Sequence, residues 1–176
     1  VNDSEVAILG ETDTTVAFCP FSSITGAFGV AHRGLYPEMA NQGVNVTIGS
    51  DGHRFDHLSS AGLMSGLLRD AREDESLFPA TQMLEMLTVN GARAMGLGGR
   101  IGAIEVGYFA DLALFENQRT YWSPDFDVAD QMIFSGGGAQ ARSVWVHGRR
   151  VIDGYRSTLI DEDAVYGRLR EAGESI

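Results

Sequence analysis

Two short runs of β-branched and apolar residues, Thr14-Thr15-Val16-Ala17-Phe18-Cys19 and Val44-Asn45-Val46-Thr47-Ile48-Gly49, constrain the fold more than any other feature of this chain. Each has the length and residue types of a buried strand, and Pro20 stops the first because proline cannot donate to a sheet ladder. Between them Leu35, Met39 and Ala40 recur at helical spacing before Gly43 ends the turn. Strand, helix and strand at this spacing form a βαβ unit, which builds parallel sheet with a right-handed crossover. The expected class is therefore α/β.

The flanking segments extend this pattern. Asp3 or Ser4 can cap a helix carrying Val6, Ile8 and Leu9, and Phe21 to Gly26 reads as a polar loop. An amphipathic stretch from Leu58 to Arg72 places Leu63, Leu67 and Leu68 on one face. Pro79 then suits the first turn of a helix carrying Met83, Leu84, Met86 and Leu87, continuing through Asn90 to Gly96. That Leu-Met stripe is core. From Gly98 the texture changes to glycine-punctuated strands: Ile101 to Val106, Ala110 to Phe115, and the pair Ser143 to Val146 and Arg149 to Ile152, joined by His147-Gly148 at hairpin spacing. Asp125 to Met132 suits a short helix and Glu162 to Ala172 a closing one. The expected divisions are residues 1–97 (βα-repeat portion), 98–160 (β portion) and 161–176 (closing helix).

Charge narrows the partners. Thirteen Lys and Arg stand against 24 Asp and Glu, a formal charge of −11 that repels phosphate backbones and anionic lipid, so neither nucleic acid nor membrane is expected as a partner. No apolar run approaches the ~20 residues of a membrane span. Cys19 is the single cysteine and can form no internal disulfide, which is compatible with a reducing cytoplasm. Val1-Asn2-Asp3-Ser4 has neither an initiator Met nor a signal-peptide pattern, and reads as a cut end.

Chemistry is expected directly after the second strand, where Ser50-Asp51-Gly52-His53-Arg54-Phe55-Asp56-His57 gathers two acids and two imidazoles. In α/β folds, active sites sit at the carboxyl ends of strands. Asp51 is the first candidate, because its Gly52 neighbour lets a carboxylate approach a metal or exchange protons without crowding; an acid in a βα loop can equally be an N-cap. His53 and His57 can help bind a metal or stand as polar loop residues, and His32 and His147 have weaker cases. Ser22 and Ser23 can hydrogen-bond a ligand or simply turn the chain. Cys19, at the end of a buried strand, reads as a small apolar thiol rather than a nucleophile. Gly96 to Gly102 mimics a dinucleotide fingerprint but follows a helix, and the Asn45-Val46-Thr47 sequon falls in a buried strand, so neither carries function.

Several separated motifs then converge. Val16-Ala17-Phe18-Cys19-Pro20-x-Ser22-Ser23, Gly43 to Gly52, Thr88-x-Asn90-Gly91-Ala92-Arg93-Ala94-x-Gly96-Leu97, Ile101-Gly102-x-Ile104-Glu105-Val106-Gly107-x-x-Ala110-Asp111-Leu112 and Val144-Trp145-Val146-x-Gly148-Arg149-x-Val151 resemble the amidohydrolase superfamily. More narrowly they are similar to its chlorohydrolase, methylthioadenosine and S-adenosylhomocysteine deaminase branch, as is the stretch from Arg72 to Ala80.

The resemblance implies the C-terminal part of a distorted (β/α)8 TIM-like barrel, with Val16 to Cys19 as strand seven and Val44 to Gly49 as strand eight. Residues from Gly98 to Ile152 would then supply part of a small β-sandwich domain. It implies a hydrolase that deaminates or dechlorinates a nitrogen heterocycle with one divalent ion, zinc or alternatively iron. Asp51 matches the strand-eight aspartate that binds the metal and shuttles a proton, and Ser22, Ser23 and His53 are candidate substrate contacts. Ser50 stands where the family often has Thr, and the Asn that often follows the serine pair is missing. The family's other metal-binding histidines and its proton-donating glutamate lie upstream of strand seven, so the resemblance implies the last two-fifths of an enzyme. With one ligand in place of the three or more that catalytic zinc uses, the chain is expected to hold metal weakly or not at all. The rival expectations are a non-catalytic fragment and a small-molecule-binding module without turnover. Unpaired apolar strand edges further predict homo-oligomers or aggregation, through isologous pairing.

Overall fold

The computed structural model describes residues 1–52, 55–117, 127–135 and 140–174. These fall into two compact units, the first drawn from residues 1–108 and 127–135, the second from 109–117 and 140–174. The architecture is α/β. Among the described residues no helix is long and apolar enough to cross a membrane.

The first unit opens with helix α1 (Asp3–Glu11). Its cap is Asn2 rather than Asp3 or Ser4: Asn2 Oδ1 accepts from the Glu5 N–H at 3.0 Å, and Glu5 Oε2 accepts from the Asn2 N–H at 2.8 Å. This reciprocal box satisfies two backbone donors that a helix start otherwise leaves open. Strand β1 (Thr15–Phe18) follows, then α2 (Pro20–Thr25), α3 (Val30–Arg33), α4 (Tyr36–Asn41) and strand β2 (Asn45–Ile48). The expected loop at 21–26 is thus a helix. Pro20 both ends the strand and starts the helix, since its missing N–H is no loss at a first helical position. Its polar residues are accommodated by bonding backward, with Ser23 Oγ donating to the Cys19 carbonyl at 3.0 Å and Thr25 Oγ1 to that of Phe21 at 2.6 Å.

Strands β1 and β2 pair in parallel, Thr15 opposite Asn45 through Phe18 opposite Ile48. Alternation sends Val16, Phe18, Val46 and Ile48 to one face, where the buried ones join Met39 of α4 and Met64 and Leu68 of α5 (His57–Arg72) in one hydrophobic core. The opposite face of β2 carries Asn45 and Thr47, both buried, and is covered by α6 (Ala80–Leu87) and α7 (Val89–Ala94). Their polar atoms are matched: Thr47 Oγ1 donates to the Met86 carbonyl at 2.7 Å, Asn45 Nδ2 to the Asn90 carbonyl at 3.1 Å, and Asn90 Nδ2 to the Val46 carbonyl at 2.9 Å. Asn45 is only 4% exposed, as the buried-strand reading of the sequon requires. On β1 the corresponding residue Ala17 is exposed.

The helix expected from Pro79 to Gly96 is broken at Thr88, where the backbone turns to φ −120° and ψ −88°. Residues 101–106 are not a strand. Gly102 (φ +91°) packs so closely on α7 that an added Cβ would lie 2.9 Å from the Thr88 carbonyl and 3.0 Å from the Ala92 Cβ. The chain turns there and leaves Ile104 89% exposed and Val106 fully so. That packing carries the first unit to Tyr108, past the division expected at Gly98. A short helix α8 (Val128–Asp130) and a wide helical turn (Gln131–Ser135) complete it, with Ile133 in the core.

The second unit is an antiparallel sheet in the order β3 (Leu112–Leu114), β4 (Ser143–Val146), β5 (Arg149–Asp153) and β6 (Arg156–Ser157). The expected β4–β5 hairpin is present, with His147 at φ +50° and Gly148 at φ +77°, the positive pair that a two-residue hairpin turn needs. The closing helix α9 (Glu162–Glu174) is tied back by Arg156, 2.9 Å from Asp163 and 3.5 Å from Glu162. Among its described residues this unit buries Ser143 but not one apolar side chain.

Candidate functional site

The carboxyl ends of β1 and β2 lie side by side, and the Gly49 N–H donates to the Phe18 carbonyl at 2.8 Å, carrying the parallel ladder one residue past the strands. Beyond this point the chains part. The first enters α2 through Cys19, and the second turns at Asp51, whose φ of +51° lies in the left-handed region. Gly49 has no side chain for a steric reason: a Cβ there would stand 2.8 Å from Cys19 Sγ.

Asp51 is exposed, and its Oδ2 accepts a hydrogen bond from Ser22 Oγ at 2.8 Å. Ser22 itself is only 6% exposed. The first turn of α2 therefore brings a buried hydroxyl against an exposed carboxylate 29 residues away. Cys19 completes the group. Burial, reinforced by the negative charge of Asp51, pushes its thiol above the usual range, against a weaker pull downward from a hydrogen bond with the Asp51 backbone. The thiol is protonated at neutral pH and is not an activated nucleophile.

The remaining candidates are dispersed. Ser23 gives its hydroxyl to the Cys19 carbonyl. His53 and Arg54 lie outside the described residues. His57 is the exposed first residue of α5, which Asp56 caps by accepting from the Ser59 N–H at 3.0 Å. His32 is exposed near the end of α3, and His147 sits in the hairpin turn with its ring 4.3 Å from that of Phe109. Among the described residues no three His, Cys, Asp or Glu side chains converge as metal ligands. Asp51 alone does not fit a resident zinc ion, which in catalytic sites takes three protein ligands. The sequence reading missed the Ser22–Asp51 bond and the Gly49–Cys19 contact. The available signals were Pro20, which favours a first helical turn, and a glycine at the end of a buried strand, which marks close approach.

The sequence pattern of the amidohydrolase family matches residues 1–151. The chain belongs to the amidohydrolase family. This amidohydrolase chain is 32% identical over 183 residues to a 5′-deoxyadenosine deaminase of Methanosarcina acetivorans, in a match covering all of the chain and 40% of that protein. It is 34% identical over 169 residues to a 5-methylthioadenosine/S-adenosylhomocysteine deaminase of Moorella thermoacetica, covering 94% of the chain and 39% of that protein. Among solved structures it resembles an adenosine deaminase from Xanthomonas campestris with bound zinc, at a TM-score of 0.90 and 28% identity, over 99% of this chain and 40% of the other. The chain thus spans about 40% of the length of the curated relatives it matches.

Proposed function

We propose that the protein carrying this chain hydrolyses the exocyclic amine, or a chloride, from a nitrogen heterocycle, with a purine or pyrimidine base or its nucleoside as substrate. The observation that carries this reading is Asp51, an exposed carboxylate at the carboxyl end of a parallel strand, hydrogen-bonded by a buried serine. The names of its relatives, deaminases of adenosine derivatives, supply the substrate class. In this reading β1 and β2 are two strands of a distorted (β/α)8 barrel, and β3 to β6 are part of a small β-sandwich. The acidic charge favours a small neutral or weakly cationic substrate over a polyphosphate. The single cysteine suits a cytoplasmic setting.

Hydrolytic deamination needs water to lose a proton as it adds to the ring carbon, and the departing amine to gain one. A carboxylate within reach of both can take the first proton and deliver it to nitrogen, so that the C–N bond breaks and ammonia leaves. Asp51 fills that role. With ligands supplied from outside the described residues, Asp51 would also serve as one ligand to a divalent ion, zinc or alternatively iron, which would lower the pKa of a bound water.

The test is ammonia release from adenosine, 5′-deoxyadenosine, methylthioadenosine, guanine and cytosine, and chloride release from a chlorinated triazine, by the protein carrying this chain. Asp51→Asn should keep the fold and lower turnover by at least about a hundredfold. Near-normal turnover by that variant would sink the assignment. A second reading concerns the 176 residues alone, and the lack of three converging ligands among the described residues favours it. By themselves they hold zinc at well below one ion per chain and do not turn such heterocycles over.

A further inference from the structure

Ser22 and Ser23 are neighbours in sequence, yet their hydroxyls do different things. Ser23 Oγ returns to the Cys19 carbonyl of its own helix, the ordinary way a serine is accommodated in a helical turn. Ser22 Oγ leaves its helix and donates to Asp51 Oδ2 at 2.8 Å. A serine hydroxyl has one hydrogen, and in this geometry the carboxylate takes it. A substrate reaching Asp51 would therefore meet a carboxylate already held from beneath by a side chain that is 94% buried by its 6% exposure. Among the described residues Asp51 Oδ1 takes no hydrogen bond, so this oxygen remains open to another donor.

Resting on the reading of Asp51 as the proton carrier, we infer that Ser22 is a positioning residue for that carboxylate and not a contact to the substrate. The bond fixes which oxygen is engaged by the protein and so sets the orientation of the carboxylate. It matters because Asp51 sits on an exposed turn in the left-handed region, where the side chain has room to rotate. A carboxylate free to rotate would spend part of its time aimed away from the reacting proton, and misplacement on the ångström scale costs rate rather than binding.

The experiment is a double-mutant cycle in the protein carrying this chain, with an ammonia-release assay on its best substrate. Ser22→Ala should lower kcat by about ten- to a hundredfold, the scale of a lost hydrogen bond to a charged group, with KM within about twofold of wild type. Ser22→Cys nearly preserves the side-chain volume but donates weakly, and should lose kcat as Ala does. Ser22→Thr keeps the hydroxyl and should recover most of it. In the Asp51→Asn background Ser22→Ala should cost nothing further. Thr25→Ala, an exposed change on the same helix, controls for general loosening of α2. A raised KM with kcat preserved in Ser22→Ala would make Ser22 a substrate contact and overturn the inference. So would a kcat loss that persists undiminished on Asp51→Asn, or full activity in Ser22→Cys alongside a loss in Ser22→Ala, which would point to packing. Should Ser22→Ala melt at a lower temperature, the Cys and Thr variants still decide. Wild-type turnover by Asp51→Asn defeats the reading of Asp51 itself. An inactive Asp51→Asn beside an unaffected Ser22→Ala defeats only the inference about Ser22.

Discussion

Gly49→Ala is the most incisive test of how the two strand ends are joined. Gly49 has no positive φ to defend, so an alanine meets no backbone penalty and the only cost is space. Its Cβ would stand 2.8 Å from Cys19 Sγ and 3.8 Å from the Ala17 Cβ, and ordinary contact begins at 3.4 Å. The sulfur must therefore retreat by about 0.6 Å, on a side chain with a single rotatable bond and the Ser23 hydroxyl anchored to its carbonyl. Overpacking of this kind costs about 1–3 kcal/mol. At a urea m-value of about 2 kcal/mol/M the unfolding midpoint should fall by about 0.5–1.5 M. Cys19→Ala alone should cost about 1 kcal/mol. The double variant Cys19→Ala/Gly49→Ala removes the obstructing sulfur, so its loss should be smaller than the two single losses added, by at least about 1 kcal/mol. Urea unfolding of the four proteins, followed by far-ultraviolet circular dichroism, measures the cycle. Strict additivity, or a Gly49→Ala variant as stable as wild type, would refute the close approach of the two strand ends.

Other expectations follow from the same coordinates. With its thiol held above the usual range by burial and by the charge of Asp51, Cys19 carries less thiolate than free cysteine at a given pH, so iodoacetamide should alkylate it more slowly than glutathione at pH 7 to 8.5; Asp51→Asn should speed the reaction, and mass-spectrometric labelling rates check both. Asn90→Ala removes the donor to the Val46 carbonyl and should cost about 1–3 kcal/mol in urea unfolding, a loss under about 0.5 kcal/mol showing that the bond is replaced. The exposed apolar side chains Leu112, Leu114, Val146 and Leu169 should make the 176-residue chain self-associate at micromolar concentration; light scattering that reports a compact monomer would contradict this.

The parallel pairing of β1 and β2, and the place of Asp51 just beyond a strand's carboxyl end, were legible because both rest on local chemistry: β-branched runs of strand length, and an acid beside glycine where a strand ends. The partnership of Ser22 with Asp51 was not, because a six-residue helix is too short to show a period, and Pro20 is equally good at ending a strand and beginning a helix. The stretch from Ile101 to Val106 failed in the opposite sense. Its β-branched residues bounded by glycines read like a strand's, but a strand needs a partner to accept its hydrogen bonds, and the close seat of Gly102 on α7 turns the chain instead. The capping residue moved to Asn2 because Glu5, three positions on, can close a reciprocal box only with that residue. The helix expected to run through Thr88 breaks where Thr88 Oγ1 binds the Leu84 carbonyl at 2.6 Å.

The hydrogen bonds from Thr47, Asn45 and Asn90 that press α6 and α7 onto β2 also divide the strand into a part that cannot vary cheaply and an end that can. They fill that face of the strand with matched, buried polar groups, while Asp51 stands exposed beyond the carboxyl end of the same strand. Changes in the segments after β1 and β2 can alter the surroundings of Asp51 without touching these bonds, whereas changes at Asn45, Thr47 or Asn90 would trade away stability and leave Asp51 as it is.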